Sequence, residues 1–423
     1  MLSTKLARAT VASLMCLLSC KDQKPPPRAP NIEWPATVSP PFGLSQLASG
    51  MTLDDAKRAL PALIVAADKH SLTLSAPAGE AVVAIDPTGR VADISVRVDE
   101  CDDTKDALTS KWGVPELAPW QFDSATRSWF DASTGWSATY RPGPTPERDA
   151  KQDCYLDFLS KGYFSERAKP PGSLASLQRG MTTQAAARLS DATAGGYRQL
   201  SGAREFAASL LYHGGLFEYA DTVMSVAVFR LMQSAWGNGT AYSPRKEKRI
   251  EWLDQAGTWR ALMVESVGII HVRFQNYVPW VKWLGDGDAV AEVTFPILGK
   301  NVDDLKQQFG AFLQLDVSVS NGHQLYHLEL PATEWSPEAY TDVDLTADAN
   351  VVRDYSFDLW FDSEETKKAM LEELTKKWGS PTSTVAGWTF HSKTYGVIAV
   401  QDNDKLAGLS VLSVKIGSVQ PPT

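Results

Sequence analysis

The chain has 423 residues, of which 43% are hydrophobic and 22% are charged, and this composition excludes a collagen-like, coiled-coil or wholly disordered protein. At about 150 residues per domain, the length predicts about three domains. The formal charge is -9, and it becomes -11 if the first 19 residues are removed with Lys5 and Arg8, so neither nucleic acid nor an anionic membrane surface is expected as a partner.

The beginning of the chain has the pattern of a cleaved signal peptide. Two cations precede an apolar run over residues 9–19, which is shorter than the roughly 20 residues of a transmembrane helix. The run ends in Leu17-Leu18-Ser19-Cys20, which resembles a lipobox. The resemblance implies cleavage before Cys20 and attachment of palmitate-type acyl chains to it, which anchor the chain in a membrane. A plain secretory signal with an incidental cysteine is the alternative.

The residue after Cys20 and the Pro-rich segment that follows predict where the folded part lies. Lys21 in place of Asp resembles the enterobacterial signal for transfer to the outer membrane, so we expect an envelope protein that faces the periplasm. Residues 20–41 are rich in proline and are expected to form a semi-extended tether without a core. The predicted divisions are 1–19, 20–41, 42–170, 171–286 and 287–423.

Three sets of short motifs recur in the same order along residues 42–423. The first set opens amphipathic helices, and Thr52 with Asp55 and Asn301 with Asp304 have the spacing of a capping box. Its members are Gly50-Met51-Thr52, Gly180-Met181-Thr182 and Gly299-Lys300-Asn301. The second set ends helices, because glycine accepts the left-handed backbone after the last turn. Its members are Trp112-Gly113, Trp236-Gly237 and Trp378-Gly379.

The third set consists of aromatic residues seven apart, which read as hairpins of two strands. The pairs are Trp129 and Trp136, Trp252 and Trp259, and Trp388 and Tyr395. Further hairpins are predicted near residues 86–89, 213–215 and 347–350, and each unit closes with a strand, at 154–159, 269–274 or 409–414. Repetition of all three marks predicts three tandem units.

Each unit therefore reads as a helix and an antiparallel β-meander, twice over, and the predicted fold class is α+β. These motifs resemble small outer-membrane lipoprotein modules of the SmpA/OmlA type and the related β-lactamase-inhibitor-protein fold. The resemblance implies binding through an exposed sheet face or loops, without catalysis. It carries no functional residues over to this chain.

Two cysteines remain after the signal region, Cys101 and Cys154. An even pair in an exported chain predicts a structural disulfide, because the compartment is oxidising. A redox or metal site is the alternative interpretation.

Residues with catalytic or metal-binding potential are few. Ser243 and Lys246 have Ser-x-x-Lys spacing, but Pro244 and the following charges favour a solvated turn. His323 and His327 are expected about 13 Å apart along a strand, too far to share one ion without a third element. Three acids of the kind that binds calcium, Asp342, Asp344 and Asp348, fall in a predicted hairpin and lack the spacing of a calcium loop. We therefore expect neither a metal nor another cofactor.

The leading functional expectation is a lipid-anchored envelope protein that binds or scaffolds an envelope protein, and not an enzyme. One alternative is a glycan or peptidoglycan binder that uses Trp280, Trp283 and Trp335, since aromatic rings outside the repeat pattern favour contact surfaces. The other is an envelope hydrolase whose site is assembled in space and is not visible in the sequence.

Overall fold

The fold consists of three antiparallel sheets with short helices, seen in a computed structural model. The structure describes residues 34–417 except 42, 49, 70, 77–78, 86–88, 99–100, 118–125, 143–152, 165–166, 191–196, 200–205, 243–248, 255–257, 267–268, 280–296, 317–322, 334–335, 337–339, 362, 386, 393–395 and 403–409. Among these residues, no helix is both long and apolar enough to cross a membrane.

The helices are short and the strands dominate. The described residues form the α-helices α1 (Leu53–Ala59), α2 (Cys101–Trp112), α3 (Thr183–Ser190), α4 (Val226–Trp236), α5 (Val302–Phe309) and α6 (Glu364–Trp378). Turns of 3-10 helix cover Lys161–Phe164, Gly172–Ser176 and Gly310–Phe312.

The first sheet has eight strands in the order β1-β2-β3-β4-β8-β7-β6-β5. They are β1 (Ile64–Ala67), β2 (Ser71–Ala76), β3 (Gly79–Ile85), β4 (Val91–Val98), β5 (Glu116–Leu117), β6 (Arg127–Asp131), β7 (Trp136–Pro142) and β8 (Cys154–Ser160).

The second sheet has seven strands in the order β12-β13-β14-β15-β11-β10-β9. They are β9 (Tyr197–Gln199), β10 (Phe206–His213), β11 (Leu216–Met224), β12 (Thr240–Tyr242), β13 (Arg249–Leu253), β14 (Trp259–Ser266) and β15 (Ile269–Asn276).

The third sheet repeats the strand order of the first, β16-β17-β18-β19-β23-β22-β21-β20. Its strands are β16 (Leu313–Leu315), β17 (Gln324–Pro331), β18 (Tyr340–Asp348), β19 (Val351–Phe361), β20 (Thr382–Thr384), β21 (Gly387–Ser392), β22 (Gly396–Asp402) and β23 (Ser410–Gly417).

The predicted fold class, α+β with a helix and a meander twice over in each unit, is wrong. The described part of the chain is mostly antiparallel β-sheet, with 50% of its residues in strands. The reason is the position of the closing strand, which lies between the two meanders and pairs with both. In the first sheet β8 pairs with β4 and β7, and in the third β23 pairs with β19 and β22, so each pair of meanders becomes one continuous sheet.

The predicted helix boundaries are confirmed where they depend on local chemistry. The side chain of Thr52 accepts a hydrogen bond from the amide of Asp55, and Asn301 caps α5 by accepting one from Asp303. Helices α2, α4 and α6 end at the predicted tryptophans. The glycine after each has a φ between 81° and 86°, which residues with a side chain rarely adopt.

The tryptophans of the recurring motifs pack together at these helix ends. Trp129 donates its indole N–H to the carbonyl of Gly113, and Trp252 donates to Gly237, each over 3.0 Å. The ring centroids of Trp112 and Trp129 are 5.6 Å apart. A glycine carbonyl exposed by the end of the helix is thus satisfied by the sheet below it.

Residues 34–41 lie at the end of the range that was expected to be a tether, and they pack against the first unit. Trp34 and Val38 are buried in its core. The indole of Trp112 donates to the carbonyl of Pro35 over 3.0 Å, and Thr134 donates to the carbonyl of Val38 over 2.6 Å. This part of the segment therefore belongs to the folded unit.

Helix α4 joins the first and second sheets. It contacts β5, β6 and β7. Its residue Phe229 shares a core with Phe130 and Leu159 of the first sheet and with Trp252 of the second. Phe130 and Leu159 lie on the side of the first sheet that faces away from α2, because residues that alternate with Trp129 and Phe158 point to the opposite face. The helix is therefore enclosed between two sheets.

The second and third sheets meet through polar contacts. Arg260, which is fully buried, donates to Glu251 over 2.7 Å and to the carbonyls of Thr333 and Ser336 over 3.1 and 2.7 Å. Near them the amide of Val278 donates to the carbonyl of Ala332. A loop of the third unit is thus fixed on the second sheet by a buried guanidinium.

Candidate functional site

The candidate site lies on the face of the third sheet that points away from its core, called the open face below. In β23, Leu412, Val414 and Ile416 belong to the core, so the alternating residues Ser413 and Lys415 lie on the open face. The same alternation operates in the neighbouring strands and puts these residues there: Asp342, Asp344, Asp354, Ser356, Asp358, Trp360, Ala399 and Gln401.

A groove crosses the open face over four strands and encloses about 340 Å³. The residues that line it follow two rows of cross-strand pairs. One row runs from Asp344 through Ser356 and Lys415 to Ala399. The other row joins Asp358, Ser413 and Gln401. The middle of the groove is lined by the small side chains of Ser356, Ala399 and Ser413.

The carboxylates at the groove are held by neighbouring side chains. Nε2 of His327 lies 2.9 Å from Asp342, and its Nδ1 lies 3.4 Å from Asp344. Lys415 pairs with Asp354 over 3.1 Å, and Ser413 donates to Asp358.

Hydrogen bonds to Asp342 and then to Asp344 raise the pKa of His327 to about 10. At neutral pH its ring is therefore protonated and has no lone pair for base catalysis or metal binding. Four carboxylates, at Asp342, Asp344, Asp354 and Asp358, then face the two cations His327 and Lys415, so the open face is negatively charged.

A second concave region lies where the second unit touches the third. A crevice of about 410 Å³ is lined by Arg179, Leu216, Phe309, Phe312 and others. The Arg179 guanidinium stacks on Phe312 at 3.7 Å from the ring centroid. Opposite lies Glu329, 3.6 Å from Nη2 of Arg179.

Titration of this region is dominated by burial. Burial lowers the pKa of Arg179 to about 10, although Glu218 and Glu329 oppose the shift. Burial also raises the pKa of both acids, and each acid faces cations at Arg179 and His213. Because these charges face one another inside the junction, we assign them to holding the two units together rather than to a ligand.

The structure places the predicted site residues as follows. Cys20, the Ser243–Lys246 pair, Trp280, Trp283 and Trp335 lie outside the described residues. Cys101 and Cys154 form a disulfide with Cα atoms 5.5 Å apart, which ties the start of α2 to β8.

The two predicted histidine positions are not brought together. His323 bonds to Asp348, whereas His327 bonds to Asp342 and Asp344. In the ranges described, no group of three or more His, Cys, Asp or Glu side chains is arranged to hold a metal ion.

Sequence reasoning missed most of the open face. Asp342 and Asp344 were considered as calcium ligands, but Asp358, Lys415, Ser356 and the small residues beside them were not considered. The signal was present in β19, where Ser356, Asp358 and Trp360 alternate with core residues. Alternation identifies a face of a strand, but only the pairing of four strands shows that these residues form one surface.

In comparisons with protein-family models, curated proteins and solved structures, none matched this chain. Its function is therefore argued from the geometry and charge of the open face.

Proposed function

We propose that this chain is a lipid-anchored protein of the bacterial cell envelope that binds another protein on the open face of its third sheet. The observation that carries the proposal is the groove, which is negatively charged and lies on a rigid sheet. Within the described residues no helix lies over it, whereas α4 covers the corresponding side of the first sheet.

The shape and charge of the open face favour a macromolecular partner over a small molecule. Small-molecule sites are concave and mostly apolar, with a few convergent polar groups. This groove has a largely polar lining, and its charged side chains are spread over three strands, β18, β19 and β23. Charge complementarity over such an area gives a protein partner its orientation and speeds association. The lipid anchor expected at Cys20 would concentrate the chain at one membrane.

The proposal is tested by photo-crosslinking in the native envelope. A photoreactive amino acid is introduced at Gln401, which lines the groove, and in a control at Arg58, whose side chain is 79% exposed on the first unit. Captured proteins are identified by mass spectrometry, and the partner is then purified and its affinity measured. The same capture is repeated with Asp344→Lys combined with Asp358→Lys and, separately, with Cys20→Ala.

We expect one envelope protein to be captured from Gln401 and not from Arg58, to bind in purified form, and to be lost in the double lysine variant. The Cys20→Ala variant is expected to lower its yield, because the chain is no longer held at the membrane. Capture of the same proteins from both positions, or capture that the lysine variant leaves unchanged, would overturn the proposal.

A further inference from the structure

We infer that the open face of the third sheet receives a basic, amphipathic α-helix of the partner protein. This inference rests on the proposed function and specifies the chemistry of the partner. It is carried by the way in which the first sheet holds α4, by the lack of free strand edges in the groove, and by the charge around it.

The chain already contains one helix seated on a sheet face of this kind. Helix α4 lies on the first sheet across β5, β6 and β7. Three residues of the sheet on this side, Ser128, Ser137 and Thr139, are small, polar and buried. Small side chains let the helix approach the strands closely. Phe130 and Leu159 supply the apolar contacts with the helix.

The third sheet has the same strand order, so positions on its face can be matched with those of the first. Strands β19, β23 and β22 correspond to β4, β8 and β7. In the first sheet a row joins Ser95, Asp157 and Thr139. The row at the same strands of the third sheet joins Ser356, Lys415 and Ala399. The groove lies on β18, β19, β23 and β22 of the third sheet, whereas α4 lies on β5, β6 and β7 of the first sheet. The two positions overlap at the corresponding strands β7 and β22.

An apolar contact also lies beside the groove. Trp360 and Val411 are directly paired across β19 and β23, one row beyond Asp358 and Ser413. Both residues are on the open face, since they alternate with core residues of their strands. Val411 is already buried within the chain, whereas Trp360 is partly exposed. A helix across the groove would pack an apolar side chain on the exposed part of Trp360.

The backbone of the groove excludes recognition by an added strand. Its strands β18, β19, β23 and β22 are each paired on both sides, so their N–H and C=O groups are already used in the sheet. Strand addition needs an unpaired edge, and the edges of this sheet are β16 and β20. A partner on the face must therefore satisfy its own backbone, as a helix does.

The charge of the open face determines which helix fits. Asp342, Asp344 and Asp358 surround the small residues, and His327 and Lys415 compensate only part of their charge. Lysine or arginine side chains at the margins of the helix would reach these carboxylates. The partner helix thus carries small and apolar residues along one stripe and cations on both sides of it.

The experiment measures binding of synthetic peptides to the mature full-length chain carrying Cys20→Ala. The probe is an N-acetylated, C-amidated peptide of about 18 residues, about 27 Å long as a helix, with an Ala and Leu stripe flanked by lysines. One control peptide has the same composition in scrambled order, so that no stripe forms. A second control has glutamate at each lysine. Affinity is measured by fluorescence anisotropy at low and physiological salt.

Three protein variants locate the binding. Asp344→Lys with Asp358→Lys reverses charge in the groove, and Glu372→Lys with Glu373→Lys makes the same charge change on the exposed side of α6. Ala399→Trp fills the groove without changing its charge. We expect the groove lysine variant and the Ala399→Trp variant each to weaken binding of the striped peptide about tenfold or more, and the α6 variant to change it less than about threefold.

Equal binding of the striped and scrambled peptides would overturn the inference, because charge alone would then explain it. So would a striped peptide that fails to bind saturably, or one whose affinity Ala399→Trp leaves unchanged. The proposed function is judged separately by the segment of the partner that crosslinks to Gln401. A loop or acidic segment there would refute the helix and leave the function standing, whereas loss of the crosslink altogether would refute the function.

Discussion

The two junctions between successive units differ in how they exclude water. The first is apolar: α4 buries Ala227, Val228, Phe229, Leu231, Met232 and Trp236. At 100° per residue these side chains cover an arc of about 200°. In α6, the corresponding helix of the third unit, the buried residues Lys367, Met370, Leu374 and Trp378 cover an arc of about 80°. The wider arc fits a helix that contacts two sheets rather than one.

The second junction is charged. Arg260 and Arg179 are buried there with Glu251 and Glu329, and the hydrogen bonds of Arg260 reach the backbone of the third unit. Burying such pairs costs desolvation that their attraction only partly offsets. The apolar junction therefore mainly stabilises the association of the first and second units. The charged junction mainly fixes the orientation of the third unit relative to the second.

Leu231→Ala is expected to have the largest effect. Leu231 is fully buried, and helical geometry places it about 160° around α4 from Phe229, which contacts Trp252. Removing three buried carbons from a site enclosed by two sheets is expected to cost about 4 kcal/mol in the free energy of unfolding. Urea titration followed by tryptophan fluorescence measures this change. The matched control is Leu371→Ala in α6, where the leucine is only partly buried.

We expect the control to cost about 1 kcal/mol, since part of the leucine surface already faces water. Equal losses in the two helices would mean that α4 is not more enclosed than α6, and the comparison between the junctions would fail.

The two junctions also differ in how far they could be predicted. The composition of α4 was visible, because the polar residues in the apolar run over residues 223–232 are Ser225 and Arg230. Ser225 caps the helix, and Arg230 proves to be exposed on it. Helix ends and caps were predicted because neighbouring residues determine them. The pair of Arg179 and Glu329 could not be predicted, because 150 residues separate them and neither stands in a recognisable motif. The closing strands were predicted individually, but their insertion between two meanders depends on long-range pairing.

Arg179→Met breaks the charged junction and is expected to cost about 3 kcal/mol, because Glu218 and Glu329 lose a buried cation. Burial raises the pKa of both acids, and protonation at low pH removes the charge that Arg179 balances. The loss should therefore grow as the pH rises through these raised pKa values. Urea titrations at several pH values measure the loss. Adding Glu329→Gln should recover part of it.

A matched control for this prediction is Arg97→Met, which removes an arginine whose side chain is 42% exposed and paired with Asp153. We expect a change of less than about 0.5 kcal/mol there. If Arg179→Met costs no more than Arg97→Met at pH 8, the buried charges do not hold the second and third units together.

The smallest expected effect comes from His327, which lies at the border between the charged junction and the open face. Its folded pKa of about 10 exceeds the unfolded value near 6.5, so its bonds to Asp342 and Asp344 stabilise the fold fully below about pH 6.5. The stabilisation is lost as the pH rises through 10. Because the side chain is 36% exposed, His327→Gln should cost at most about 1 kcal/mol at pH 6.

The difference between wild type and His327→Gln in urea titrations should therefore shrink between pH 6.5 and 10 and be absent above it. NMR titration of the imidazole gives an independent value, which Asp342→Asn should lower because the closer acceptor is removed. A midpoint near 6.5 in the wild type would show that His327 is neutral at physiological pH. The open face would then carry more uncompensated negative charge, and it would attract a cationic partner more strongly than it does with a protonated His327.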